Sequence, residues 1–288
     1  MCLLVITQVI DKNDPVLGFF HRWIEEFAKH CEKIEVICLR EGRHSLPANV
    51  RVHSLGKVGS RQSSVGSKIR YAIRFKLLVW RLRHEYDAVF VHMNPEYVVI
   101  AGSFWRLWGK KVGLWYTHGT VSLRLRIAVL FSDTVFTASS QSMRIATTKK
   151  RVMGHGLDFA EFPLAPAPVS DTPLSLVTIG RRSSVKRVDM LERAVALAGE
   201  RLTVVEGVPH AQIPTLLASA HLFLHASATG SLDKAPLEAL ATGVPVITTN
   251  KELAEALEVT FAEPTSRGAR SGNQGGGREA CVGGYRAP

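Results

Sequence analysis

Short runs rich in branched residues alternate with amphipathic segments along almost the whole chain, and this alternation constrains the fold more than any other feature. Leu3–Thr7 reads as a strand. Leu17–Lys29 reads as a helix, with Phe19, Phe20, Trp23, Ile24 and Phe27 falling on one helical stripe. Lys33–Leu39 and Val50–His53 are strands, followed by a Gly/Ser-rich loop from Gly56 to Ser67. The pattern resumes with helix Lys68–His84, strand Asp87–His92, helix Tyr97–Trp108, strand Lys111–Tyr116, helix Leu123–Phe131 and strands Asp133–Ala138 and Arg151–Met153. Repeated strand-then-helix units predict a mostly parallel sheet with helices on both faces.

The pattern breaks between Phe162 and Pro173, where Pro163, Pro166, Pro168 and Pro173 stand among small residues. Behind the break a second series runs from strand Leu174–Ile179 through helix Val188–Ala198, strand Leu202–Glu206, helix Gln212–Ser219 and strand Leu222–His225. It continues with helix Lys234–Ala241, strand Pro245–Thr248, helix Glu252–Leu257 and strand Val259–Ala262. A chain of 288 residues has room for two domains. The expected division is a first Rossmann-like unit over 1–162, a linker over 163–173 and a second unit over 174–263. Two such units place a ligand in the cleft between them, at the carboxyl ends of the strands. Residues 264–288 hold seven glycines, one valine and no leucine or isoleucine, so an irregular tail is expected there.

Charge narrows the partners. Lys and Arg number 36 against 25 Asp and Glu, a formal excess of +11 that favours anionic ligands. The four cysteines, Cys2, Cys31, Cys38 and Cys281, show no C-x-x-C spacing, which argues against a disulfide framework or a zinc knuckle and fits a reducing, cytoplasmic setting. Leu3–Val9 is too short to span a bilayer and runs at once into Asp11, Lys12, Asn13 and Asp14. It reads as a first strand and its loop rather than a signal peptide.

Chemistry-bearing residues gather at the predicted strand ends. Strand Leu174–Ile179 leads into Gly180, Arg181 and Arg182, then Lys186 and Arg187. Glycine permits a tight turn, and the Arg181/Lys186 pair suits an anion over the strand end, above all a diphosphate leaving group. A solvated basic turn is the simpler alternative. Ser227–Glu238 (SATGSLDKAPLE) follows a strand and opens a helix near Lys234, whose backbone donors and positive end favour phosphate or sugar hydroxyls. Asp233 falls where an N-cap is expected, a structural job that accounts for it alone. Glu238, one turn into the helix, is placed to accept hydrogen bonds from two adjacent ribose hydroxyls.

These pieces, in this order, resemble the retaining, nucleotide-sugar-dependent group 1 glycosyltransferases of GT-B fold. Gly180-Arg181 with Lys186, the run Leu222–Glu238, Ala239–Ile247 (ALATGVPVI) and His155-Gly156-Leu157-Asp158 followed by Phe162 look like that family's blocks. The resemblance covers roughly residues 1–263. It implies an α/β protein of GT-B type, two Rossmann-like lobes facing a central cleft, with the second lobe truncated because the family's closing helices are not readable here. It implies transfer of a hexose from a UDP- or GDP-sugar to a hydroxyl of a glycan or lipid-linked acceptor, as in polysaccharide biosynthesis, without a metal. Arg181 and Lys186 would neutralise the diphosphate, Glu238 would hold the ribose, and His118 would lie beside the donor sugar. Gly18, Gly180, Gly230, Ser231, Asp233 and Lys234 would complete the donor site. The family usually carries a glutamate eight positions before Glu238, where this chain has Gly230.

Other residues invite two readings. His92, Asn94 and Glu96 sit at a strand end on the acceptor side, while His155 and Asp158 serve either a ligand or the turn itself. Helix 68–84 carries Lys68, Arg70, Arg74, Lys76, Arg81 and Arg83 among apolar residues. It supports a competing reading, a nucleic-acid or anionic-membrane-binding α/β protein without catalysis. No nucleic-acid module is recognisable. The reading that keeps the enzyme lets residues 68–84 rest peripherally on an anionic inner membrane face.

Overall fold

The computed structural model describes residues 1–59, 64–165, 173–228 and 232–263. Most of the 163–173 linker, Gly230, Ser231 and the tail 264–288 lie outside the described residues. In chain order the first series comprises β1 (Cys2–Ile10), α1 (Phe19–His30), β2 (Lys33–Glu41), β3 (Val50–Ser54), α2 (Val65–Arg81) and β4 (Ala88–His92). It ends with α3 (Pro95–Leu107), β5 (Lys111–Trp115), α4 (Leu123–Phe131), β6 (Thr134–Thr137) and β7 (Lys150–Val152). The second comprises β8 (Leu176–Ile179), α5 (Val188–Leu197), β9 (Leu202–Val205), α6 (Ile213–Ala218), β10 (Leu222–His225), α7 (Lys234–Ala241), β11 (Val246–Thr248), α8 (Lys251–Leu257) and β12 (Thr260–Phe261).

Two separate parallel sheets result, ordered β3-β2-β1-β4-β5-β6-β7 and β12-β11-β10-β8-β9. Strand alternation divides the first core in two. Leu4, Ile6 and Val91 face α2, α3 and α4, where Phe75, Val98 and Leu125 pack. Leu3, Val5 and Val36 face α1, where Phe20 and Ile24 pack. Burial on both faces is why these strands read as nearly continuous apolar runs. In the second sheet Val177, Val205, Phe223 and Val246 pack against Ile213 and Leu217 of α6 and Ala239 of α7.

Element ends shift by a few residues from the sequence reading, and two of the differences have a visible cause or consequence. Helix α2 starts at Val65, three residues before Lys68, because the Ser64 hydroxyl accepts a hydrogen bond from Ser67 N at 3.3 Å and caps it. Phe162, the last residue of the first unit on sequence grounds, packs into the core of the second sheet with Val177 and Phe223.

Strand order reverses between β1 and β4 in the first sheet and between β8 and β10 in the second. Crevices at such switch points are where open parallel sheets hold ligands. The loops leaving these four strands carry Gly18, Asn94, Gly180, Arg181, Lys186 and Asp233, while His118 follows β5, His155 and Asp158 follow β7, and Lys234 and Glu238 stand on α7.

Candidate functional site

At the β8/β10 switch, Lys186 Nζ meets Asp233 Oδ2 at 2.7 Å and His225 Nε2 donates to the same oxygen at 2.8 Å. His225 Nδ1 in turn lies 2.8 Å from the Thr248 hydroxyl on β11. Burial alone would raise the Asp233 carboxyl, but the His225 hydrogen bond and the Lys186 charge overcome it and hold the group well below the usual carboxylate range. The two loops are also tied by backbone, Ala228 N donating to Val185 O at 2.8 Å. Gly180 opens the first of them at φ +153°, a conformation that disfavours side chains.

Asp233 occupies the N-cap position of α7, as expected, yet its side chain makes no capping hydrogen bond. The structural job that accounted for it in the sequence is not the one its carboxylate performs; His225 and Lys186 take that carboxylate instead. Arg181 is exposed, with no ion pair among the described residues, whereas Arg182 is engaged by Glu192 at 2.7 Å.

Glu238 points inward and is only 4% exposed. Its Oε1 is 2.9 Å from His210 Nε2 and 3.5 Å from Lys234 Nζ. Lys234 also sits over the Phe19 ring of α1, 4.4 Å from its centroid, and burial lowers its ammonium below the ordinary lysine value. Through Lys234 the cluster adjoins a cavity of about 1020 Å³ between the two sheets. Gly18, Phe19, Trp23 and Trp115 line its first-sheet side, and His210 and Lys234 its second. Of the sequence-derived site residues, Gly18, Asp158 and Lys234 reach this cavity, while Gly180, Arg181, Lys186, Asp233, Glu238 and His118 do not line it.

Gly18 has a steric reason to be glycine: a Cβ there would stand 2.6 Å from Asp14 O and 3.0 Å from Lys12 O. Asp14 shapes the same loop, its Oδ1 accepting from Val16 N at 2.9 Å and Leu17 N at 2.8 Å. Opposite, His155 Nε2 donates to Leu232 O at 2.7 Å, anchoring the segment before α7 to the loop after β7. Arg22 of α1 reaches Asp158 at 2.9 Å, a second link across the cavity rim.

His118 is exposed in the loop after β5, its Nδ1 accepting from Thr120 N at 3.3 Å. His92 is buried, stacked on Phe20 with ring centroids 4.1 Å apart, and burial pushes its pKa down to about 3. Glu96 pairs with Arg124 at 3.2 Å and Asn94 donates to His92 O at 3.0 Å. Among the described residues no three His, Cys, Asp or Glu side chains gather as a metal site.

His225 and His210 are functional-site neighbours that sequence reasoning passed over. His225 ends a strand at its carboxyl edge, the position that drew attention to His118, and this signal was available for it. His210 lies in a short turn, His210–Gln212, with no periodic signature.

Residues 153–264 match the model of a family described as Glycosyl transferases group 1. No curated protein matches the chain. Among solved structures, the chain resembles Anabaena HepE in complex with UDP and glucose, at 17% identity, covering 89% of this chain and 83% of that one, with TM-score 0.65. It resembles the lipopolysaccharide outer core galactosyltransferase WaaB at 14% identity, covering 86% and 80%, with TM-score 0.58. It also resembles the UDP-GlcNAc 2-epimerase of Methanocaldococcus jannaschii at 14% identity, covering 90% and 87%, with TM-score 0.53. These likenesses are of fold, and the fold is two-lobed, α/β and GT-B-like.

Proposed function

We propose that this chain is a glycosyltransferase that moves a hexose from a UDP- or GDP-sugar to a hydroxyl of a glycan or lipid-linked acceptor, with retention at the anomeric carbon. The observation that carries the reading is the Lys186–Asp233–His225 cluster at the β8/β10 switch, next in the chain to Lys234, which lines a cavity whose other wall is the first sheet. Support comes from the group 1 family match over 153–264 and from two fold relatives, one solved with UDP and glucose and one named for UDP-GlcNAc.

In this reading the diphosphate lies over the strand ends at Gly180. Arg181, exposed and uncommitted among the described residues, swings onto it, and Lys186 supplies a second charge. Their interaction strengthens as negative charge grows on the departing diphosphate, which is the condition for lowering a barrier rather than merely binding substrate. Glu238 Oε1 is taken by His210 and Lys234, and its second oxygen receives the ribose hydroxyls. His118, with Nδ1 accepting from Thr120 N, carries its proton on Nε2 and offers that donor to a sugar hydroxyl. Gly230 and Ser231, which lie outside the described residues, are assigned to the donor on the same reading. The fold divides at the chain stretch 163–173, and the acceptor enters from the first-sheet side, past Trp23 and Trp115.

A thermal-shift panel of UDP- and GDP-sugars tests the donor, since a ligand that binds only the folded state raises apparent stability. Incubation of the stabilising donor with candidate acceptors, followed by NMR of the product's anomeric carbon, tests the reaction. Epimerised nucleotide sugar without transfer, or an inverted glycoside, would overturn the assignment.

A further inference from the structure

Helix α2 turns apolar residues toward solvent. Phe75 and Val79 are buried against the first sheet. On the outer side Ile69, Ile73, Leu77 and Trp80 are 57%, 55%, 63% and 53% exposed. At 3.6 residues per turn these four fall within an arc of about 80°. A helix that only covers a core presents polar residues on that side. Here the polar residues stand at the edges of the stripe, exposed Lys76 on one flank and exposed Arg70 and Arg81 on the other, and α2 contains no acidic residue. The apolar surface continues onto the end of α3, where Leu107 is 80% exposed and the following Trp108 lies 5.6 Å from the Trp80 ring.

We propose that this face seats the protein on an anionic lipid surface. The stripe enters the boundary between headgroups and acyl chains, and the flanking cations meet the lipid phosphates. Trp80 has the amphipathic ring suited to that depth, with the Arg83 guanidinium over it at 4.7 Å. A nucleic acid would engage the cations and gain little from four central apolar side chains. A second copy of the chain would bring two basic borders together. No helix of the described residues is long and apolar enough to cross a membrane, so the contact is one of lying on the surface.

The test is co-sedimentation of the full chain with phosphatidylglycerol vesicles and with phosphatidylcholine vesicles. The parent should pellet with the first and stay in solution with the second. Replacing Lys76 and Arg81 by Gln should reduce partitioning about fivefold for each cation removed. Replacing Ile73 and Leu77 by Gln should reduce it at least about tenfold, since each loses its apolar burial. All these positions are exposed, and an unchanged cooperative thermal unfolding transition in each variant reports that the fold is intact. Vesicle binding uses no nucleotide, so it stands or falls separately from the transferase assignment. A parent that ignores phosphatidylglycerol vesicles overturns the proposal. So does duplex DNA binding that the Ile73/Leu77 variant retains, or a parent dimer in sedimentation velocity that this variant dissociates.

Discussion

Lys186 and Asp233 lie 47 residues apart in the chain and meet at 2.7 Å, at the carboxyl ends of two adjacent parallel strands. The pair makes the donor-side charge conditional. Lys186 is bound to a carboxylate before any diphosphate arrives, and that carboxylate is itself fixed by His225. A diphosphate therefore competes with Asp233 for the ammonium, while Arg181 has no such competitor among the described residues.

Asp233→Asn should move stability and nucleotide affinity in opposite directions. Losing charge-assisted hydrogen bonds to Lys186 and His225 should cost about 1.5–3 kcal/mol in chemical denaturation at pH 7. Removing a negative charge beside the diphosphate should tighten UDP or GDP binding severalfold by calorimetry. Because the folded carboxyl lies below its unfolded value of 3.8, its stabilisation is present above that pH and is lost as pH falls through the folded value. The variant should lack this acid-side loss. Weaker nucleotide binding in a folded variant would show that Asp233 contacts the ligand instead.

Arg181→Ala should behave differently. The side chain is exposed, so stability should change by less than about 0.5 kcal/mol. Nucleotide affinity should fall at least about tenfold, or about 1.4 kcal/mol, because a charged donor is lost from the diphosphate. Calorimetry on both proteins decides, and equal affinities would remove Arg181 from the site.

The sheets were legible because their strands are buried on both faces and flanked by helices with one apolar stripe. Val5 and Ile6 pack to opposite faces of β1, so a run of branched residues was sufficient signal. Site residues were legible where backbone geometry drives residue choice: Gly18 stands where any Cβ would strike Asp14 O, and Gly180 adopts a positive φ. What stayed hidden is pairing across distant segments. Nothing local in Asp233 announces that it abandons its helix cap for His225 and Lys186, and nothing in His210 points to Glu238, 28 residues away. The outward apolar stripe of α2 was hidden for another reason, since periodicity reveals a stripe without saying which side the core takes.

Phe19 and Lys234 link the two sheets across the cavity, with the ammonium 4.4 Å from the ring centroid. Desolvated cation–π contacts reach about 2 kcal/mol. A double-mutant cycle of Phe19→Leu and Lys234→Met, read by denaturation, should give a coupling energy of about 0.5–2 kcal/mol. Additive losses would mean that the ring and the ammonium merely share a boundary.

His92 should give the protein an acid-sensitive element. Its folded pKa of about 3 lies below the ordinary 6.5, so the unfolded state binds a proton that the folded state refuses between those values. Stability should fall as pH drops through that window, by at most about 1.4 kcal/mol per pH unit from this group. His92→Phe, which keeps a ring against Phe20, should flatten that part of the profile when thermal or urea unfolding is followed from pH 7 to pH 4. Parallel profiles for the two proteins would place the acid sensitivity elsewhere.

His118 offers the sharpest separation of binding from transfer. Thr120 N donates to its Nδ1 at 3.3 Å, which leaves Nε2 as the ring nitrogen that this contact does not use. The loop has a second tether, the Tyr116 hydroxyl donating to Thr120 O at 2.8 Å. His118→Ala therefore removes the ring while the loop stays held, and stability should change by less than about 0.5 kcal/mol, as for other exposed positions. A ring that touches only the donor sugar has no contact with bare UDP or GDP. Affinity for the free nucleotide should be unchanged, while kcat/KM for transfer should fall about ten- to a hundredfold, as expected when a hydrogen bond made in the transition state is lost. Steady-state transfer assays set beside calorimetry with the bare nucleotide separate the cases. Undiminished transfer, or an equal loss in both measurements, would leave His118 as a loop-shaping residue and rest the site on Arg181, Lys186 and Glu238.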